Sequence, residues 1–169
     1  MKRFVTLLLA LIPVLASAQD SPFSLDGESI IWRRVYDGTT TAGLVSYNLQ
    51  ASGFFRNIQA SDNLVTAEMH SVKMEFKELG YKNMSLPIYL VNDTFSGFVT
   101  VQIKEDRYRV TVMRIVTHNP RLGSGSLEDL ALKNGSIDPK FLDPAAIIMS
   151  HSFDGLFSEL YKNTIDDEW

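Results

Sequence analysis

The sequence feature that most constrains the fold is a pair of alternating segments on either side of a short polar turn, Glu105-Asp106. Every second position is apolar on both sides of it, namely Val99, Val101 and Ile103 before the turn and Tyr108, Val110 and Val112 after it. A period of two sends these side chains to one face of a sheet, and the short turn fixes the register of an antiparallel hairpin. The alternation slips by one position between residues 113 and 116, which predicts a β-bulge there.

Other segments predict further strands and a helix packed on the same sheet. Residues 30–36 form a β-prone run, and the threonines at 39–41 offer N-caps for a helix that Gly53 ends. Residues 55–70 predict a second hairpin with its turn at Ser61-Asp62-Asn63. The order of strand, helix, strands and helix predicts an α+β fold in which an antiparallel sheet is backed by helices.

The C-terminal part of the chain predicts two helices. Ser126 and Asp129 have the pattern of a capping box before a short helix at 127–133, and Asn134-Gly135 follows that helix. A longer helix is expected from Asp143-Pro144 onward. Its apolar residues fall at helical spacing on one face, namely Met149, Phe153, Leu156, Phe157 and Leu160. This face is expected to pack against the sheet.

The first 18 residues match a secretory signal peptide, with a basic start, an apolar run at 4–15 and small residues before the cleavage site. We predict cleavage between Ala18 and Gln19, with Ala16 and Ala18 as the small residues that precede it. A retained membrane anchor is disfavoured because the apolar run is too short for a hydrocarbon core of roughly 30 Å, which needs about 20 residues.

The remaining 151 residues match the size of one domain. We expect a polar leader at 19–27, a single α+β domain at 28–165 and an acidic tail at 166–169. The chain has no cysteine, which excludes both a disulfide and a lipid-modified cysteine. The sequence therefore predicts an exported protein, periplasmic or secreted, that is not a lipoprotein.

The charge balance limits the class of partner. Without Lys2 and Arg3, the chain has 14 basic and 20 acidic residues and a formal charge of −6. Nucleic acids and anionic membranes require a basic face, so this balance argues against both, although it allows a local basic patch. No later segment is apolar enough to cross a membrane, so we expect no integral membrane segment after signal cleavage.

No motif predicts a catalytic, cofactor or metal site. His70, His118 and His151 are the side chains that can transfer protons near neutral pH, and His70 lacks the further ligands that zinc requires. Ser150-His151-Ser152 and Asp154 have the residue types of a hydrolase triad, but neighbours on one helix point about 100° apart. We therefore predict no catalytic residue, no cofactor and no metal ion.

Two groups of residues are candidate binding surfaces. The first lies in the connection 79–94, which fits no clean period, and long connections of this kind are often functional. The second is a basic cluster around the first hairpin and is a candidate for binding an acidic partner. The candidate residues are Tyr81, Ile88, Tyr89, Lys104, Arg107 and Arg109. The alternatives are that the connection merely covers a sheet edge and that the cations keep the sheet soluble.

Four short motifs within residues 28–118 carry a family resemblance. They are Ile31-Trp32-x-x-Val35-Tyr36, Gly53-Phe54-Phe55-Arg56-Asn57-Ile58, Met84-Ser85-x-Pro87, and Gly97-Phe98-Val99 leading to Tyr108-Arg109-Val110-Thr111-Val112. With these motifs the chain resembles secreted proteins of Bacteroides-type bacteria that carry a domain of unknown function with a fold like that of the TATA-box-binding protein. The resemblance implies an antiparallel sheet backed by helices and is silent on activity, because fold and function separate readily.

These observations predict a non-catalytic binding module of the bacterial envelope that engages a protein or a glycan. The binding surface is either the open face of the sheet, which an antiparallel arrangement can leave free, or the connection 79–94. The alternative is a small-molecule or lipid carrier with a cavity between sheet and helices, lined by Phe98, Phe153 and Phe157. An enzyme that acts through His118 or His151 is the third hypothesis.

Overall fold

The computed structural model describes residues 21–162. The predicted signal peptide, the cleavage residues Ala16, Ala18 and Gln19, and the predicted acidic tail at 166–169 lie outside the described residues. The strands are β1 (Phe23–Asp26), β2 (Ser29–Asp37), β3 (Phe55–Ser61), β4 (Leu64–Val72), β5 (Thr94–Lys104), β6 (Arg107–Asn119), β7 (Gly123–Ser126), β8 (Leu132–Lys133) and β9 (Ser136–Ile137). The α-helices are α1 (Ala42–Ser52), α2 (Ile88–Asn92), α3 (Leu127–Ala131) and α4 (Ile147–Phe157).

The main sheet is antiparallel and has the strand order β1-β2-β6-β5-β4-β3. Strand β6 is longer than its neighbour β2, which pairs with β6 only as far as Val112. Beyond a gap, β7 pairs with β6 from Val116 to Asn119 and thus lies beside the same edge of β6 as β2. Helix α1 connects β2, near one side of the sheet, to β3 at the opposite edge.

The hairpin predicted around Glu105-Asp106 is confirmed, with Lys104 paired to Arg107 across the turn. The predicted bulge is also confirmed, because the register of β5 and β6 shifts between Ser96 and Phe98. Arg114 lies at this point of β6 with a φ of 52°. The second predicted hairpin is present as β3 and β4, with Ser61 paired to Leu64.

Helix α1 begins and ends where the sequence predicts. The Thr41 side chain accepts a hydrogen bond from the Leu44 N–H, which satisfies one of the free donors of the first turn. Gly53 follows the helix in the left-handed conformation with a φ of 75°, which glycine adopts without the steric penalty of a Cβ. The helix contributes Val45 and Leu49 to the core.

The hydrophobic core lies between one face of the sheet and the helices. Trp32 from β2 is fully buried against α4, with its ring centroid 5.3 Å from that of Phe153 and 5.9 Å from that of Phe157. The Tyr108 hydroxyl donates a hydrogen bond of 2.6 Å to the Phe157 carbonyl oxygen. Sheet and α4 are therefore joined by aromatic packing and by a buried hydrogen bond.

The predicted leader at 19–27 is wrong for residues 23–26, which form β1. Phe23 is the cause, because its side chain is buried and packs edge-on against Phe141 with centroids 5.3 Å apart. The backbone of β1 pairs with β2 from Phe23 opposite Trp32 to Asp26 opposite Ser29. A polar, turn-rich segment thus joins the sheet through a single apolar anchor.

The predicted helix at 127–133 ends early, at Ala131, because Leu132 pairs with Ile137 in the small sheet of β8 and β9. Asn134 and Gly135 both have positive φ, of 54° and 75°, as a two-residue hairpin turn requires. The predicted capping box of Ser126 and Asp129 is confirmed at the start of α3.

Three further boundaries differ from the prediction. Residues 123–126, for which no strand was predicted, form β7, and α4 begins at Ile147 after an irregular turn at Phe141–Ala146. The connection 79–94, for which the sequence predicted no regular element, contains a 3-10 turn at Asn83–Ser85 and helix α2.

Candidate functional site

The face of the sheet opposite α1 and α4 carries polar and charged side chains in rows across the strands. We call this surface the open face. From β2 towards β3 its rows are Asp37-Arg107-Lys104, Val35-Arg109-Gln102-Leu64-Ser61, Arg33-Thr111-Thr100-Thr66-Gln59 and Met113-Phe98-Glu68-Arg56. The placement follows from the alternation of side chains along each strand.

At the hairpin end of the open face, the three predicted cations come together. Lys104, Arg107 and Arg109 line a pocket of about 160 Å³ with Gln102 and Val35, and we call it the cation pocket. The Nε of Arg109 donates a hydrogen bond of 2.9 Å to Gln102 Oε1, so the guanidinium lies across β5 and β6. Val35 is 53% exposed despite its apolar side chain.

The neighbouring Asp106 partly neutralises this pocket. Its carboxylate accepts a hydrogen bond of 3.0 Å from Arg107 Nε. This hydrogen bond and the positive charge of Arg107 lower the pKa of Asp106, and the same contact raises the pKa of Arg107. In residues 21–162, no carboxylate forms an ion pair with Lys104 or Arg109.

The middle of the open face is flat and polar. Three threonines, Thr66, Thr100 and Thr111, lie side by side across β4, β5 and β6. Arg33 Nε donates a long hydrogen bond of 3.4 Å to Thr111 Oγ1 and covers that residue. At the bulge, the Arg114 guanidinium lies 4.7 Å above the centroid of the Phe98 ring, in the geometry of a cation–π contact.

The far end of the open face has a histidine between two serines. His118 Nε2 is 2.6 Å from Ser96 Oγ, and His118 Nδ1 is 2.7 Å from Ser124 Oγ. A neutral imidazole has one donor and one acceptor nitrogen, so one serine donates its proton and the other accepts. The ring is held by hydroxyls in place of the carboxylate that raises basicity in a Ser-His-Asp triad.

The other three predicted binding residues lie far from the cation pocket. Tyr81 and Tyr89 are half-buried against the core, and burial raises the pKa of Tyr89. Ile88 is 61% exposed in α2. Helix α2 leads directly into Thr94, at the opposite end of β5 from Lys104, and ten residue steps of about 3.3 Å separate these ends by roughly 33 Å. The six residues therefore do not form one surface.

Helix α4 carries a second polar cluster on the side that faces β2. The Asp154 carboxylate forms an ion pair with Arg34 and accepts a hydrogen bond of 2.5 Å from the Tyr36 hydroxyl. Burial of Tyr36 is the main reason why its pKa is raised. The Asp154 carboxylate therefore has a partner for its charge and its hydrogen-bonding capacity, and the contacts join α4 to β2.

A cleft of about 820 Å³ lies between α4 and the segment 71–78. It combines apolar walls from Phe54, Val72 and Leu156 with charged groups at its rim. His151 Nε2 is 3.1 Å from Glu78 Oε2 across this rim. Ser152 is buried, and its Oγ accepts a 2.8 Å hydrogen bond from the Glu75 N–H.

The carrier hypothesis placed its cavity in a different position, and that placement is wrong. Phe153 and Phe157 are fully buried in packed contacts with Trp32 on the helix side of the sheet. Phe98 lies on the open face beneath Arg114. The sheet itself separates Phe98 from the other two rings, so the three cannot line one cavity.

Within residues 21–162, no group of three or more His, Asp or Glu side chains is placed to hold a metal ion. No helix in the same part of the chain is long and apolar enough to cross a membrane.

Sequence reasoning missed several residues that shape these surfaces. Val35 was part of a strand but had no assigned role, and only the register with Arg109 reveals that it belongs to the cation pocket. Arg114 and Ser124 acquire their positions from the bulge and from β7. The slip in alternation at 113–116 was the one available signal for Arg114.

No protein-family model matches the chain, and no curated protein matches it. Solved structures do match. A TBP-like protein from Parabacteroides distasonis is 13% identical with a TM-score of 0.50, and the match covers 83% of this chain and 95% of that one. A DUF4468 family protein from Bacteroides ovatus is 11% identical with a TM-score of 0.53, covering 85% of this chain and 92% of that one. These Bacteroidales neighbours confirm the predicted α+β, TBP-like fold, and at this identity they show the fold alone.

Proposed function

We propose that the protein is a non-catalytic binding module, exported to the bacterial envelope, that engages a protein or a glycan through the open face of its sheet. The observation that carries this proposal is the asymmetry of the sheet. Helices α1 and α4 cover one face, whereas the other face carries exposed cations at its rim and the partly exposed Thr66 and Thr100 in its middle. An antiparallel sheet tolerates this arrangement because its backbone groups pair within the sheet plane.

The charge of the open face supports a recognition role. Among the described residues, its rows and its bulge place six basic side chains against two carboxylates, Asp37 and Glu68, and Asp106 in the adjoining turn adds a third. The basic ones are Arg33, Arg56, Lys104, Arg107, Arg109 and Arg114. The full chain has the opposite balance, with a formal charge of −4. A basic surface on an acidic protein steers partners of negative charge towards one face.

Export is the part of the proposal that rests on the sequence. The basic start, the apolar run at 4–15 and the small residues Ala16 and Ala18 support it. We expect the chain isolated from its host to begin at Gln19, as measured by N-terminal sequencing. Ala18→Arg should block this cleavage, whereas Ala10→Val should leave it intact. A mature chain that begins at Met1 in the cytoplasm contradicts the proposal.

The open face can be tested by native mass spectrometry of the protein purified from its host envelope. Thr100→Arg adds a bulky side chain to the flat row and should abolish retention of the partner. Gln50→Arg adds the same charge on the exposed side of α1 and should leave retention unchanged. Equal retention by both variants would contradict binding through the open face.

The 820 Å³ cleft beside α4 favours a second candidate function, that of a small-molecule carrier. Its volume lies within the range of about 300–1,000 Å³ that is typical of ligand pockets. Gly155 lines this cleft, and a Cβ at that position would meet nothing within 4 Å. Gly155→Leu should therefore fill the cleft without a backbone clash and abolish any retained small-molecule mass, while Gly155→Ala should preserve it. Retention by Gly155→Leu would exclude this cleft as the carrier site.

A further inference from the structure

We propose that the cation pocket binds an acidic segment of a partner protein, with carboxylates on Lys104 and Arg109 and one aliphatic side chain against Val35. This inference rests on the proposed function, because it takes the open face to be the binding surface, and it adds the site and the class of partner. The pocket is lined by side chains from three adjacent strands, β2, β6 and β5.

The two cations that contact the partner are those with no internal counter-ion. Arg109 donates to the neutral amide oxygen of Gln102, which orients the guanidinium but leaves its charge uncompensated. In the described part of the chain, Lys104 forms no ion pair with a carboxylate. Arg107, in contrast, is already paired with Asp106. Hydrogen bonds between such charged donors and carboxylates are about twice as strong as neutral ones.

The size of the pocket indicates a side chain, not a whole ligand. Its volume of about 160 Å³ is well below the roughly 300 Å³ at which small-molecule pockets begin. Val35 provides an exposed apolar wall between charged neighbours. In an acidic segment, an aliphatic residue can pack against Val35 while the aspartate or glutamate on either side of it binds Lys104 and Arg109.

The absence of aromatic side chains in the lining favours a protein over a single-stranded nucleic acid. Unpaired bases are commonly bound on exposed aromatic rings. The aromatic ring in the described rows of the open face, Phe98, is already covered by Arg114. The negative charge of the whole chain also disfavours a long polyanion. A short acidic segment, in contrast, contacts only the hairpin end of the open face, where the cation pocket lies.

The test is fluorescence anisotropy with the intact chain from Gln19 onward and a short labelled peptide of aspartate, glutamate and serine around one central leucine. We expect the double variant Lys104→Gln/Arg109→Gln to weaken binding at least about tenfold, as the loss of two charge-assisted contacts implies. The matched control, Arg121→Gln/Lys140→Gln, removes one arginine and one lysine charge from exposed positions outside the rows of the open face and should change the dissociation constant less than about twofold.

A second measurement tests the apolar contact. Val35→Ser should weaken binding of the leucine peptide. It should leave unchanged the binding of a second peptide in which serine replaces the leucine. A double-mutant cycle over Val35 and the leucine isolates this contact from the charges. Additive effects in this cycle would contradict the assignment of Val35.

Three outcomes overturn the proposal. The first is equal binding by the double variant and the native chain. The second is tighter binding of a DNA or RNA oligonucleotide than of the peptide, with an affinity that depends on Arg33 and Arg56 as much as on Lys104 and Arg109. The third is self-association, detected by sedimentation and abolished by the double variant, which would make a second copy the occupant.

The same variants separate this inference from the proposed function. If Lys104→Gln/Arg109→Gln keeps the partner in native mass spectrometry while Thr100→Arg loses it, the cation pocket is not the site but the open face still is. If both variants keep the partner, the proposed function fails as well.

Discussion

Strand β6 presents two different surfaces along the same stretch of backbone. Tyr108, Val110 and Val112 are fully buried on the helix side, whereas Arg107 and Arg109, which alternate with them, are exposed on the open face. The first set is fixed by packing density, because each side chain fills a defined space among its neighbours. The second set is not constrained by the core. One strand therefore both specifies the fold and carries a candidate site.

This comparison predicts that substitutions on the two faces affect different properties. The largest expected effect is at Trp32, which packs against Phe153 and Phe157. Trp32→Ala should lower the free energy of unfolding by about 3–5 kcal/mol in urea denaturation, because it leaves a large cavity. At the neighbouring position on the open face, Arg33→Ala should lower the free energy of unfolding by less than about 1 kcal/mol. Similar losses at both positions would contradict the division between the faces.

The next effect depends on pH and on the buried hydroxyl of Tyr108. Burial raises the pKa of this group to about 12 from its ordinary value near 10. The unfolded chain then loses its proton first as the pH rises, so stability is retained up to about pH 10 and declines towards pH 12. The decline attributable to this residue should be about 2–3 kcal/mol.

Urea titrations at a series of pH values measure this decline. Tyr108→Phe should show a shallower decline above pH 10, with the remainder due to Tyr36 and Tyr89, whose pKa values are also raised. The same variant should already be less stable by about 1 kcal/mol at neutral pH, because the Phe157 carbonyl loses its donor. A decline equally steep in native chain and variant would refute this assignment.

A smaller effect is expected at Asp154, which lies at the boundary between the two layers. Asp154→Asn keeps the size of the side chain but removes the charge that pairs with Arg34, and should cost about 1 kcal/mol in thermal or urea unfolding. Arg56→Gln breaks the exposed pair with Glu68 on the open face and should cost less than about 0.5 kcal/mol. The reverse order would mean that the open face contributes more to stability than the helix contact.

The smallest effect is expected in the cation pocket. Lys104→Gln and Arg109→Gln should each change the free energy of unfolding by less than about 0.5 kcal/mol, because both side chains are exposed. A marked loss of stability in either variant would show that the cations support the fold, and any loss of binding would then need a structural explanation.

The sequence predicted those features that depend on neighbours along the chain. The hairpin around Glu105-Asp106, the bulge near Arg114 and the cap at Thr41 are all confirmed, because each is encoded within about a dozen residues. The helical spacing of Met149, Phe153 and Phe157 is also confirmed as a buried face. Local periodicity determines which side chains share a face.

The sequence could not predict contacts that join distant parts of the chain. Arg34 and Asp154 are 120 positions apart, and no local pattern links them. Strand β1 was missed because its sequence is mostly polar, and burial of one side chain, Phe23, is enough to hold it on the sheet. The candidate site was predicted in part, since the cluster of Lys104, Arg107 and Arg109 was identified but its apolar wall was not. Its separation from Tyr81 and Tyr89 also required the strand order.

The two edges of the main sheet have a consequence for how copies of this chain meet. The two ends of the strand order are the four-residue β1, which pairs with β2 only from Ser29 to Trp32, and β3, where the register shifts between Arg56 and Gln59 and Asn57 has a φ of 52°. A short strand and a bulged strand are poor templates for adding another strand. These two strands therefore disfavour the addition of a further strand at either end of the strand order, which favours partners selected by side-chain chemistry over partners that extend the sheet.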